Sequence, residues 1–191
     1  MSFQIIKDRV FFDDHFNRNL DENILQQIKD CNEIYFGYDF NKSVDNLPSK
    51  IRKIVFGPKF NQPVDNLPSS LEEIIFGDDF DQNIEFLPYG LKKLCLGYHF
   101  GCSGNLESTK GMLADRLWNV LGNDLEELVM WDLPISEDPI PKLPKKLTKI
   151  RFMRMRHPRV ISYIQELYPN LKIESIDPDN IKKKLFWTLF N

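Results

Sequence analysis

Cysteine is scarce in this 191-residue chain: Cys31, Cys95 and Cys102, an odd and scattered set, make no disulfide framework and fit a reducing compartment. No run of apolar residues is long enough for a membrane-spanning helix, so no membrane partner is expected. The opening segment, Met1 to Asp8, lacks a basic region followed by a long apolar one, so no secretory leader is expected. Acid is missing from a long stretch near the end. From Lys142 to Arg159 there are eight cations and no carboxylate. The net charge of −3 therefore hides an asymmetry: residues 140–191 carry twelve Lys and Arg against four Asp and Glu, and the rest is acidic.

What the chain does have is a repeat. Phe36, Phe56, Phe76 and Leu96 stand twenty residues apart, each followed by a glycine: Gly37, Gly57, Gly77 and Gly97. Phe40, Phe60, Phe80 and Phe100 come three residues after those glycines. Leu47-Pro48, Leu67-Pro68 and Leu87-Pro88 come seven residues after the first three of these Phe. In Leu71-Glu72-Glu73-Ile74-Ile75-Phe76 the alternation of a short strand puts Ile74 and Phe76 on one face and Ile75 on the other. The glycine is expected to end the strand by supplying a positive φ, and Asn61 or Asp81 to bond turn backbone. Pro63 and Pro68 exclude a helix interior and favour an extended return leg. One such unit cannot bury its own apolar face, but a stack of them can. The predicted fold is α/β: a leucine-rich-repeat-like right-handed solenoid of about eight parallel strands, one per turn of ~20–24 residues, with short extended or helical return segments.

The same register extends outward and predicts one solenoid domain over 1–191. Residues 1–33 form a terminal turn, its first strand near Val10 and a helix at roughly Asp21 to Lys29. Residues 34–100 are the regular repeats, and 101–124 an insertion with a helix from Ser108 to Leu121. Residues 125–176 are irregular repeats with a helix at about Pro158 to Tyr168 and a last strand near Lys172 to Ile176. Residues 177–191 form an amphipathic C-terminal capping helix carrying Ile181, Leu185, Phe186, Leu189 and Phe190.

The twenty-residue unit resembles the FNIP repeat, a leucine-rich-repeat relative named for its Phe-Asn-Ile/Gln-Pro core. Phe60-Asn61-Gln62-Pro63-Val64 followed by Leu67-Pro68-Ser69-Ser70-Leu71 carries the resemblance. Phe40-Asn41-Lys42-Ser43-Val44 and Phe80-Asp81-Gln82-Asn83-Ile84 are degraded copies. The resemblance implies a repeat protein of the kind found in social amoebae and giant DNA viruses of amoebae, hence a cytoplasmic location, the host's if the source is viral. Relatives often carry the repeats behind an F-box. With the first strand near Val10 no F-box is expected ahead of it, leaving a substrate-recognition part of a ubiquitin-ligase system as one reading.

Stacked turns align equivalent residues on the open face of the sheet. Two positions per turn read Asn32-Glu33, Arg52-Lys53, Glu72-Glu73, Lys92-Lys93, Glu126-Glu127 and Thr148-Lys149, so that the sign alternates. Such a ladder adds little stability per pair but penalises a slip by one turn. The next file reads Phe11, Tyr35, Val55, Ile75, Cys95, Val129 and Arg151. It is either a set of residues favoured in strands or an apolar strip presented to a partner. The predicted partner-binding residues are Tyr35, Val55, Ile75, Cys95 and Val129, flanked by Arg52, Lys53, Glu72, Glu73, Lys92, Lys93, Glu126 and Glu127.

Catalytic and metal chemistry is not expected. His15 and His99 sit four turns apart, about 19 Å by strand spacing, whereas shared metal ligation needs bonds near 2 Å; His157 has no visible ligand partner. The loop from Gly101 to Gly111 lacks the order of a phosphate loop, because its glycine follows Lys110. The paired glutamates are interleaved with lysines, which keeps them ionised, and no nucleophile–base set is visible. The chain reads as a non-enzymatic protein–protein interaction module without a cofactor, with self-association through the same face as one form of that reading. The alternative is nucleic-acid or polyanion binding through the basic region: Lys142, Lys145, Lys146, Lys149, Arg151, Arg154, Arg156 and Arg159.

Overall fold

In the regular turns each strand is only three residues long, and its middle residue points inward. Ile34, Ile54, Ile74 and Leu94 are fully buried, with a charged residue and an apolar one on either side facing the other way. The computed structural model describes residues 3–100, 117, 120–131, 142–153 and 158–176. Nine strands follow the chain: β1 Phe3–Ile6, β2 Arg9–Phe12, β3 Glu33–Tyr35, β4 Lys53–Val55, β5 Glu73–Ile75, β6 Lys93–Cys95, β7 Glu127–Met130, β8 Lys149–Phe152 and β9 Lys172–Ser175. They form one sheet in sequence order. Strands β2 to β9 are parallel, so the expected eight parallel strands are present. The register is the repeat itself: Lys53 pairs with Glu73, Ile54 with Ile74, and Val55 with Ile75. The predicted helices α1 (Glu22–Ile28) and α2 (Pro158–Leu167) are both present. Asp21 caps α1 by accepting from the Ile24 N–H at 2.9 Å.

The glycines serve a purpose different from the one expected. None of Gly37, Gly57, Gly77 or Gly97 takes a positive φ; the last three each lie against the glycine of the preceding turn, and Gly37 lies against the Asp13 backbone. A Cβ on Gly57 would overlap the Gly37 carbonyl oxygen and sit 2.7 Å from its carbon. The backbone turns at this column are stacked too closely for any side chain.

Beside that column run two ladders of phenylalanine. Phe12, Phe36, Phe56 and Phe76 stack at 5.1 to 5.4 Å, and Phe16, Phe40, Phe60, Phe80 and Phe100 at 5.9 to 6.2 Å. Rings of adjacent regular turns deviate by only 2–5° from parallel, so one turn lies over the next with little bend. Within a turn the two ladders also touch, with centroids 3.8 Å apart for Phe56 and Phe60.

The asparagine of the motif joins one turn to the next. Asn61 Oδ1 accepts from the backbone N–H of Asp81 at 3.0 Å and from the Gln82 amide at 2.8 Å. Asn41 does the same for Asn61 and Gln62. The bond to turn backbone expected of Asn61 therefore exists, but to the following turn and not its own. The Leu-Pro dipeptide brings the chain back to the sheet: Leu71 N–H donates to the Pro68 carbonyl at 3.1 Å, as Leu91 does to Pro88 and Leu147 to Pro144.

The N-terminal end departs from expectation. A strand precedes Val10: β1 runs antiparallel to β2, with Phe3 opposite Phe12 and a two-residue loop at Lys7 and Asp8. Lys7 takes φ 60, in the region that favours glycine. Most of the insertion helix expected at 108–121 and the capping helix expected over 177–191 lie outside the described residues. Leu117 is buried, and Leu121 N–H donates to its carbonyl at 3.2 Å.

Candidate functional site

The open face of the sheet carries two parallel files, because every strand sends its first and third residues the same way. The first file reads Arg9, Glu33, Lys53, Glu73, Lys93, Glu127, Lys149 and Lys172 across β2 to β9. Three of its six steps between opposite signs close as ion pairs. Arg9 lies 3.3 Å from Glu33, and Glu73 is held on both sides, by Lys53 at 3.2 Å and Lys93 at 3.1 Å. Just ahead of each strand runs a more exposed file in which Arg52 and Lys92 clasp Glu72 at 2.9 and 2.8 Å. The hydrogen bond from Lys92, aided by the charges of Lys92 and Arg52, holds the Glu72 carboxyl below its usual range. The ladder had been readable from Asn32 to Lys149; the structure extends it to Arg9 and Lys172 and ends it on two like charges, Lys149 opposite Lys172.

The apolar file is aligned as the spacing requires but is not exposed. Val55, Ile75, Cys95 and Val129 are 3–6% exposed and form a second small core, closed at its ends by Tyr35, Met153 and Ile176. The spacing alone had placed them exposed on the open face, whereas they are buried within the chain. Neighbours one strand spacing away cover each flank, and the side chains of Lys53, Glu73 and Lys93 on the same face are themselves only 23–33% exposed. Burial pushes the Cys95 thiol up to about 12, the behaviour of an inert packing residue. Tyr35 stacks on Phe11 at 4.8 Å and donates its hydroxyl to Glu33; burial, then that bond, raise its phenol well above the usual value.

A third file crosses the turns after the glycines: His15, Asp39, Lys59, Asp79 and His99. His15 Nδ1 lies 2.8 Å and Lys59 Nζ 2.7 Å from the Asp39 carboxylate, and His99 Nδ1 lies 3.2 Å from Asp79. The two histidines end this ladder and share no ligand; among the described residues no cluster suited to a metal ion occurs.

The basic stretch is partly neutralised. Lys146 pairs with Asp124 at 2.7 Å. Arg151 lies between Glu127 at 2.7 Å, an ion pair without hydrogen-bond alignment, and Glu174 at 2.9 Å. Arg154 and Arg156 lie outside the described residues, as does the side chain of Arg159. The anionic partners of Lys146 and Arg151, Asp124, Glu127 and Glu174, come from neighbouring turns and so fall outside the stretch where a run of cations is seen in sequence.

No described helix is long and apolar enough to cross a membrane. No curated protein matches the chain. Among solved structures the fold is similar to that of CroV588, described as a novel circular LRR protein, at 24% identity and a TM-score of 0.47. That likeness covers 80% of this chain and 28% of the other, so this chain spans little more than a quarter of its length. The FNIP Repeat family model matches residues 60–99, two of the turns held by the Phe ladders and the Asn61 bonds, and the chain is thereby shown to carry FNIP repeats.

Proposed function

We propose that this chain is a protein-interaction module that reads its partner through the charged files of the open face. The observation that carries this reading is the exposed alternation Arg52, Glu72, Lys92, Glu126, set at about 4.8 Å per step on a sheet whose regular turns stack with little bend. A rigid row of alternating charge fixes the register of whatever lies on it, and rejects a misaligned partner by like-charge contact. The module presents no nucleophile–base arrangement among its described residues, and its work is recognition.

The test inverts the row without breaking it. Arg52→Glu, Glu72→Arg, Lys92→Glu and Glu126→Lys together keep both internal ion pairs while reversing every sign presented. Binding partners captured by cross-linking in cells with the parent chain are expected to be lost with the inverted chain at unchanged melting temperature. Retention of every partner by the folded, inverted chain overturns the reading.

A further inference from the structure

Among the described residues the sheet ends on β1 and β9, and these two edges are built differently. The outer edge of β9 carries Lys172 and Glu174, the first facing the like charge of Lys149. Charges of this kind are how native sheets keep an edge from pairing. The outer edge of β1 is Phe3-Gln4-Ile5-Ile6, with no charge, proline or bulge. Ile5 lies over the end of the core above Val10, 43% exposed, and Ile6 is 52% exposed.

The hairpin fixes which backbone groups are free. A two-residue loop is closed by a hydrogen-bonded pair, here Ile6 and Arg9, and the pattern alternates from there. Gln4 and Ile6 therefore spend their N–H and C=O groups on β2. Phe3 and Ile5 turn theirs outward, two donors and two acceptors in a row.

We infer that β1 pairs with β1 of a second copy, antiparallel about a two-fold axis. The free groups allow one register in which both are used: Phe3 opposite Ile5 of the other copy, Ile5 opposite its Phe3, and Gln4 opposite Gln4 on the axis. Four backbone hydrogen bonds form, Phe3 and Ile5 bury one another's exposed surface, and no charge is brought to the axis. Pairing β1 with β9 of another copy would instead desolvate Lys172 and Glu174 and would generate an open filament. The two-fold arrangement is closed and joins the two sheets into one. It uses a surface apart from the charged files and does not depend on the function proposed for them.

Sedimentation of the chain over a wide concentration range is expected to show a discrete species at twice 22.6 kDa. Residues opposed in a non-hydrogen-bonded antiparallel pair have Cα atoms about 4.5 Å apart, within disulfide reach. Gln4→Cys is therefore expected to give a covalent dimer under mild oxidation that the parent does not give. Gln4→Lys sets two like charges on the axis and leaves the hairpin's own bonds intact, and is expected to weaken the dimer at least tenfold. A parent that stays monomeric at all concentrations, a polymer of open length, or a dimer indifferent to both substitutions overturns the inference.

Discussion

The inside and the outside of the coil solve the same stacking problem with different chemistry. Inside, glycine, phenylalanine and asparagine recur with the same residue type over successive turns, and each contact repeats at every step. Outside, Arg52, Glu72 and Lys92 never repeat from one turn to the next; contact needs a change of sign. The phenylalanine ladders are buried, the asparagine ladder half-buried, and together they hold the turns to one another. The outer ladders are wet, each pair contributing roughly 0–1 kcal/mol, and they distinguish one turn from its neighbours.

Substitutions that break this contrast are expected to fall in that order. Gly57→Ala drives a methyl group into the Gly37 carbonyl, backbone that cannot swing aside, and is expected to cost more than about 4 kcal/mol by urea denaturation. Asn61→Ala strands the Asp81 N–H and the Gln82 amide, with an expected loss of about 1–3 kcal/mol and faster hydrogen exchange at Asp81. Glu72→Gln removes the charge between Arg52 and Lys92; the expected loss is below about 1 kcal/mol and shrinks further as salt is added.

The smallest effect concerns pH. Asp39, by its hydrogen bond and then its charge, raises His15 above the ordinary 6.5, while Lys59 and then His15 lower Asp39 below 3.8. A raised histidine favours the folded state below 6.5, and this contribution disappears as pH climbs through the folded value. A lowered aspartate favours the folded state above 3.8, and its contribution disappears as pH falls through its own folded value. The turn ladder is thus strongest between those two limits. Proton NMR titration is expected to place His15 above 6.5 and to return it toward 6.5 in Asp39→Asn.

The central turns were legible in the sequence because their contacts are spaced by the period itself: knowing Phe56 and Phe76 is knowing that they stack. The pairing of Lys53 with Glu73 followed from the same counting. Burial of Val55 and Ile75 was not legible, since alternation shows which way a side chain points and not what lies over it. Nor was β1: its partner β2 is antiparallel, its loop Lys7-Asp8 lacks the usual asparagine or glycine, and it belongs to no repeat. The role of Gly57 was misread because positive φ is the common reason for a glycine, whereas here the reason lies in the adjacent turn. Even the loop that closes the first hairpin illustrates this, where Lys7 takes the conformation that the glycines do not.

Packing repeats every twenty residues, but charge repeats every forty, since Lys53 and Lys93 agree while Glu73 does not. A single copied turn would set like charge beside like charge across its seam, whereas two copied together would not. The coil therefore has a parity: lengthening or shortening by even numbers of turns leaves its outer pattern intact, and an odd step marks the place where it occurred.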